Sequence, residues 1–98
     1  MDERQYYLNK IAEEALEVAT AAMKCMQFGN ESRDPSNPDS PTNEDHLVIE
    51  LADLEGAVLA CHYNGFLGAP VEYQSMVRTK IEKINKYREI CVKLGTVK

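Results

Sequence analysis

Two pairs of acidic residues have the spacing and the surroundings to bind a metal ion. Glu14 and Glu17 belong to the fragment EEALE, and Glu50 and Asp53 belong to ELAD. The members of each pair are three residues apart, so on an α-helix they share one face. At about 100° per residue, Glu14 falls within the apolar arc of its segment and Glu17 falls at the edge of that arc. Both pairs are therefore expected to face buried surface.

Acidic residues on two core-facing helices point to a hard divalent cation. Carboxylates that meet in a medium of low dielectric constant repel one another, so they take up protons or bind cations. A set of oxygen ligands suits Mg²⁺, Mn²⁺ or Ca²⁺. Neither pair contains the ExxH motif of a ferritin-like di-iron site, and the sequence has no EF-hand loop. The alternative for each pair taken singly is a solvated helix surface.

The segments that must position these acids have the periodicity of helices. In the first one, apolar residues recur at steps of three and four, and Gly29 is a predicted C-cap. Nothing in the sequence alternates at period two, so no strand is predicted. We predict an all-α, antiparallel helical bundle with a Pro-rich loop over residues 30–43 and a turn over 64–70. The predicted helices cover residues 3–28, 43–63 and 71–94.

The second predicted helix is apolar nearly all round, from Leu47 to Ala60. Such a helix is expected to be buried on most sides. The third carries a narrower apolar stripe that includes Val77, Ile81, Ile84 and Tyr87. A chain of 98 residues suits one domain, residues 1–98, with a small core. Completion of the bundle by oligomerisation, as a homodimer or a homotetramer, is therefore expected.

The composition limits where the protein acts and what it binds. No apolar run is long enough for a transmembrane helix, and the N-terminus lacks the apolar stretch of a signal peptide. The odd number of cysteines, three, with no CxxC spacing, favours reduced thiols in the core of a cytoplasmic protein. Membrane association is not expected.

The charge is distributed unevenly along the chain. Residues 1–55 hold thirteen Asp and Glu against four Lys and Arg, whereas residues 71–98 hold three Glu against seven Lys and Arg. The acidic first half argues against a nucleic-acid-binding module, which would present a dominant basic face. The two halves together could bind a metal ion and a phosphate. Equally, they could be helices of opposite charge that pack against each other.

The two acidic motifs together resemble a known family. EExxE on one helix and ExxD on the next is similar to the signature of the all-α nucleoside triphosphate pyrophosphatases, the MazG-like proteins. The resemblance covers roughly residues 8–64, with a weaker similarity in KIEKINKYRE near the C-terminus. Thirty-two residues separate Glu17 from Glu50, which is more than is usual in the family, and the excess lies in the Pro-rich loop. The resemblance implies a MazG-like bundle that oligomerises.

The resemblance also implies roles for individual residues. Glu13 would be an outer ligand or would orient the attacking water, while Lys10, Lys80 and Lys83 would contact phosphate. The alternative for Lys10 is an ion pair with Glu13 or Glu14, and for the other two lysines it is a solvated helix face. His46, one turn before Glu50, either supports that carboxylate or is a half-exposed residue of the first turn. The implied Mg²⁺ ligands, for which Mn²⁺ could substitute, are Glu14, Glu17, Glu50 and Asp53.

The activity implied is hydrolysis of a nucleoside triphosphate to the monophosphate and pyrophosphate, by cleavage of the α–β phosphoanhydride. No GxxxxGK[ST] motif is present, which excludes P-loop chemistry. Any of the seven aromatic residues could stack on the base, and core packing explains each of them equally well. The alternative function is a non-catalytic, oligomeric helical protein that binds a nucleotide or a partner and has a vestigial metal site.

Overall fold

The described part of the chain forms three α-helices, α1 (Glu3–Phe28), α2 (Asn43–Tyr63) and α3 (Tyr73–Leu94). The structure, a computed structural model, describes residues 1–68 and 72–98. No strand occurs in these two ranges. The prediction of an all-α protein with three helices is therefore confirmed for the described residues.

Side chains of the flanking residues cap the first two helices. The Asp2 carboxylate accepts a hydrogen bond from the backbone N–H of Gln5 at 2.8 Å, and the Gln5 side chain accepts one from the backbone N–H of Asp2 at 2.9 Å. At the start of α2, Thr42 Oγ1 accepts from the N–H of Asp45 at 3.1 Å. Gly29 ends α1 with φ +90°, a backbone conformation that residues with a Cβ rarely adopt. These local signals fix where the two helices begin and where α1 ends.

The contacts at both ends of α1 and α2 show that the two helices are antiparallel. At one end, the N–H of Asn43 donates to the carbonyl oxygen of Ser32 at 2.8 Å, which places the start of α2 beside the end of α1. At the other end, the ring of Tyr7 stacks on the ring of Phe66 with 5.7 Å between centroids. The two helices therefore form a hairpin whose middle turns face each other.

The predicted loop between α1 and α2 is closed on itself by hydrogen bonds. The Arg33 guanidinium donates to the carbonyl oxygen of Ser40 at 2.7 Å, and the N–H of Ser36 donates to the Asp34 carboxylate at 2.9 Å. Ser36 is the reason that the pKa of Asp34 lies below its ordinary value. The prolines and polar residues of this segment thus form turns that leave the α1–α2 hairpin intact.

The chain divides into two compact units, Met1–Gly68 and Ala69–Lys98. The first contains α1 and α2, and the second contains α3. The predicted start of the third helix at residue 71, and the end of the preceding turn, lie outside the described residues. The prediction that residues 1–98 form one domain concerns the combination of the two units and stays a prediction.

In the first unit, each helix covers one face of the other. Ala21 and Cys61, with 2% and 0% of their surface exposed, are the buried residues of the described part of the chain. The prediction that α2 is buried on most sides was wrong for this chain alone, because α1 covers one face of it. Of the three cysteines that were predicted to lie in the core, Cys25 and Cys91 are partly exposed. The large apolar residues of α2 that stay exposed are Val48, Ile49, Leu51, Leu59 and Tyr63.

The predicted apolar stripe of α3 also lies on exposed surface. Its members Val77, Ile81, Ile84 and Tyr87 are all exposed. Of the helices in residues 1–68 and 72–98, none has the length and apolar character that a bilayer-spanning helix requires.

Candidate metal centre

On α1, the three glutamates of EEALE lie in different surroundings. Glu13 is exposed, and its carboxylate accepts from Asn9 Nδ2 at 2.9 Å and from Lys10 Nζ at 3.2 Å. Glu14, about 100° further round the helix, lies against α2 and is partly buried. The helical period thus turns one glutamate outward to a lysine and the next one inward.

On α2, Glu50 and Asp53 lie one turn apart on the face toward α1. The Glu50 side chain is only 12% exposed, and the His46 side chain one turn before it is 39% exposed. His46 Nε2 lies 3.0 Å from Glu50 Oε1. Because an ionised carboxylate only accepts hydrogen bonds, the imidazole Nε2–H is the donor. His46 is thus a partly exposed residue of the first turns that also holds one oxygen of Glu50.

Glu14 meets Glu50 and Asp53 at the middle of the hairpin. One carboxylate oxygen from each of the three residues lies within 4.8 Å of the others. We call these three residues the acid cluster. Two of them come from α2 and one from α1, so their meeting depends on the antiparallel packing of the helices.

Two carboxylate oxygens of the acid cluster lack a hydrogen-bond partner within the described ranges of the chain. Glu14 Oε2 and Glu50 Oε2 are both buried, and neither accepts a hydrogen bond. Burial of a polar oxygen without a partner is unfavourable, and most such atoms in proteins are paired. The cluster therefore has acceptor capacity that a proton or a cation would satisfy.

The raised pKa of Glu14 is consistent with the lack of a hydrogen-bond partner for its Oε2. Burial raises the pKa of its carboxyl above the ordinary value, and the neighbouring Glu17 raises the pKa further, with smaller contributions from Asp53 and Glu50. Both causes disfavour the ionised form. A divalent cation would relieve the repulsion while leaving the carboxylates ionised.

The chemistry of the cluster fits a hard divalent cation, a class that includes magnesium and manganese. Its possible ligands are carboxylate oxygens, which hard divalent cations prefer, and His46 is already engaged with Glu50. The two unpartnered oxygens could bind a cation without the loss of an existing hydrogen bond. Glu14, Glu50 and Asp53 are thus the residues that could hold such an ion.

The fourth predicted ligand, Glu17, lies beside the acid cluster and outside the group of three. Its side chain is exposed and lines an open groove of about 380 Å³ together with His46 and Glu50. Its charge nevertheless contributes to the raised pKa of Glu14. The structure thus brings together three of the four predicted acids, and the role of Glu17 as a ligand stays a prediction.

A second groove, which we call the tyrosine groove, begins on the other side of the cluster. Glu14 and Asp53 form its inner end, and Tyr6, Tyr7 and Lys10 line it toward the N-terminus of α1. Its volume is about 430 Å³. The sequence alone does not distinguish Tyr6 from the other aromatic residues, although its spacing of four from Lys10, and of eight from Glu14, indicates a shared helix face.

The three predicted phosphate contacts differ in their positions. Lys10 pairs with Glu13, as its alternative interpretation predicts, and its Nζ lies 5.4 Å from the centroid of the Tyr6 ring. The hydrogen bond to Glu13 raises the pKa of the Lys10 ammonium. Lys80 and Lys83 are exposed residues of α3 in the second unit. Their contact with phosphate stays a prediction.

No protein-family model, curated protein or solved structure matches this chain. The similarity to MazG-like proteins therefore stays a prediction from the sequence motifs.

Proposed function

We propose that this chain is a Mg²⁺-dependent nucleoside triphosphate pyrophosphohydrolase of the MazG-like type. It would cleave the α–β phosphoanhydride of a ribo- or deoxyribonucleoside triphosphate to give the monophosphate and pyrophosphate. The observation that supports this function best is the meeting of Glu14 with Glu50 and Asp53. These acids come from the EExxE and ExxD motifs that the family shares, and open grooves lie on both sides of them.

The acid cluster would hold the metal ion on which the chemistry depends. Glu14, Glu50 and Asp53 would hold Mg²⁺, which would neutralise charge at the phosphate oxygens and lower the pKa of a bound water. His46 keeps one oxygen of Glu50 in place, which leaves the other oxygen free to bind.

The remaining side chains would handle the proton and the phosphates. A water oxygen bonds to the α-phosphorus, the bond to the α–β bridging oxygen breaks, and pyrophosphate leaves with that oxygen. Glu17, exposed next to Glu14, would accept the proton of the water. Glu13 would help to orient the water. Lys10 would exchange its contact with Glu13 for a phosphate oxygen, since an ammonium group binds either anion.

The exposed apolar surface supports an oligomeric enzyme. Leu16, Met23 and Met26 of α1 are exposed, as are Ile81 and Ile84 of α3. Burial of large apolar side chains at an interface between copies would remove them from water, which is favourable. A homodimer or a homotetramer would cover it and would complete the helical bundle. Light scattering coupled to gel filtration measures the mass directly, and a monomer at micromolar concentration would contradict this part of the proposal.

A turnover assay tests the function. The protein is incubated with Mg²⁺ and a panel of ribo- and deoxyribonucleoside triphosphates, and pyrophosphate is measured. We expect release from at least one nucleotide. Glu50→Gln should abolish the release, because it removes a negative ligand while keeping the shape of the side chain. Glu55→Gln makes the same change of charge on an exposed residue of α2 and should retain activity.

Two outcomes would contradict the proposal. Release of inorganic phosphate without pyrophosphate would identify a different bond as the one that is cleaved. Nucleotide binding without any turnover would favour the alternative, a non-catalytic helical protein that has kept its acidic residues.

A further inference from the structure

We propose that the tyrosine groove binds the base of the nucleotide and that Tyr6 is the surface on which the base stacks. This inference rests on the proposed function, because it takes the acid cluster as the place where the polyphosphate binds. It goes beyond that function by assigning the nucleoside to one of the two grooves that adjoin the cluster. The two grooves differ in whether they contain side chains that can recognise a base.

The aromatic residues occur on one side of the cluster only, among the residues that line the two grooves. The groove that contains Glu17 and His46 is lined otherwise by Leu16, Thr20 and Ala21. The tyrosine groove has two phenol rings and a lysine. Aromatic rings stack on nucleobases of every kind, because each base has a π-face. The volume of about 430 Å³ lies within the usual range for small-molecule sites.

The packing of the rings distinguishes Tyr6 from Tyr7. Tyr7 is partly buried and stacks on Phe66, with 26° between the ring planes. Tyr6 meets Tyr7 edge to face at 5.4 Å and is 48% exposed. Tyr7 therefore anchors the aromatic group to the end of the hairpin. Tyr6 has free surface and is held in place by its neighbour.

The opposite wall of the groove leaves space for a flat ring. On α2 the residues that face Tyr6 and Lys10 across the groove are Ala57 and Ala60. Asp53, Ala57 and Ala60 follow one another at helical spacing, so the wall changes from a carboxylate to methyl groups with distance from the cluster. Larger side chains at these two positions would fill the groove.

The order of groups along α1 matches the order of groups in a nucleotide. Tyr6, Lys10 and Glu14 follow at steps of four, so the ring lies about 12 Å along the axis from the acid cluster, at about 1.5 Å per residue. Lys10 lies between the two and already contacts the Tyr6 ring and a carboxylate. A nucleotide with its polyphosphate at the cluster would therefore place its base toward Tyr6. Lys10 would stay near the phosphates.

Binding measurements on the full chain test this assignment. Isothermal titration calorimetry with Mg²⁺ compares two probes, a non-hydrolysable α,β-imido nucleoside triphosphate and inorganic triphosphate. We expect Tyr6→Ala to raise the Kd of the nucleotide roughly 5- to 150-fold, the usual effect of removing one stacking ring. The Kd of inorganic triphosphate should not change, because that probe has no base. Tyr6→Phe should bind both probes like the wild type, since it keeps the ring.

Two further variants separate stacking from a general loss of structure. Ala57→Leu should weaken nucleotide binding and leave the binding of inorganic triphosphate unchanged, because it fills the groove from the opposite wall. Tyr63→Ala removes an exposed tyrosine that does not line the groove, and it should bind both probes normally. Circular dichroism of each variant verifies that the helices are intact.

The outcomes distinguish this inference from the proposed function. Pyrophosphate release by the wild type together with an unchanged nucleotide Kd for Tyr6→Ala would overturn the stacking role alone. An equal loss of affinity for the nucleotide and for inorganic triphosphate in Tyr6→Ala would also overturn the stacking role. If Tyr6→Ala selectively loses affinity for the nucleotide and the wild type shows no turnover, the base-binding role of the groove is supported and the hydrolase activity is refuted. Failure of the wild type to bind the nucleotide would overturn both proposals.

Discussion

If the acid cluster binds a divalent cation, Mg²⁺ should stabilise the fold, and Glu50→Gln should remove that stabilisation. The cluster joins α1 to α2 through three carboxylates whose oxygens lie within 4.8 Å of one another. Unfolding separates the two helices and therefore destroys the site. An ion that binds only the folded chain stabilises it by RT ln(1 + [Mg²⁺]/Kd).

The size of the effect follows from this relation. At about ten times the Kd, the free energy of unfolding rises by about 1.4 kcal/mol. For a domain the size of the first unit, each kcal/mol raises Tm by about 4–8 °C, so the expected increase is roughly 6–11 °C. In Glu50→Gln the increase should largely disappear. Its metal-free Tm should be no lower than that of the wild type, because the substitution removes one of the repelling charges.

Differential scanning fluorimetry of the metal-stripped protein, with and without Mg²⁺, measures these shifts. NaCl at matched ionic strength controls for screening of the acidic surface. Glu55→Gln, which carries the same change of charge away from the cluster, should retain the full increase. The reasoning is refuted if Glu50→Gln responds to Mg²⁺ as the wild type does. It is equally refuted if NaCl reproduces the shift.

Three further predictions concern single residues. Glu14 binds a proton more tightly in the folded protein than in the unfolded chain, because its pKa is raised on folding. The contribution of Glu14 to the stability of the metal-free protein should therefore decrease as the pH rises above about 4.5, the ordinary pKa of this group. Urea unfolding should then show the advantage of Glu14→Gln over the wild type growing from pH 4.5 to pH 7, and a constant difference would contradict this. His46→Ala should raise the Kd for Mn²⁺ about 10- to 100-fold, because it removes the hydrogen bond to Glu50, and His46→Gln should partly restore the affinity. Electron paramagnetic resonance measures the binding of Mn²⁺. Equal affinities of the wild type and His46→Ala would exclude the role of His46 in orienting Glu50. Cys61→Met should cost about 1–3 kcal/mol in urea unfolding because Cys61 is fully buried, whereas Cys25→Met at a partly exposed position should cost much less.

The helices could be predicted because their signals are local. Asp2, Thr42 and Gly29 cap or end helices by hydrogen bonds and backbone angles that involve residues a few positions away. The periodicity of the apolar residues gave the helical class for the same reason. The burial of α2 could not be predicted in this way. Composition shows that a helix is apolar all round, whereas the number of neighbouring helices decides how many of its faces are covered.

The candidate site shows the same division. Spacing alone placed Glu50 and Asp53 on one face of α2, and it placed Glu14 on the face of α1 that packs against α2. It placed Glu17 at the edge of that face. Whether a residue at the edge reaches the neighbouring helix depends on how the two helices cross, which spacing does not give. The sequence also left all seven aromatic residues equivalent, and the packing of Tyr7 on Phe66 is what leaves Tyr6 exposed in a groove.

The amino-acid sequence by itself determined the helical segments, the caps of α1 and α2 and the pairing of acids within those two helices, because these depend on interactions between residues near one another in the chain. Only the tertiary structure decided that three acids meet, that two of their oxygens lack hydrogen-bond partners among the described residues and that Tyr6 and Tyr7 lie on one side of them. Those features depend on distances between side chains of different helices. The antiparallel packing of α1 on α2 sets these distances.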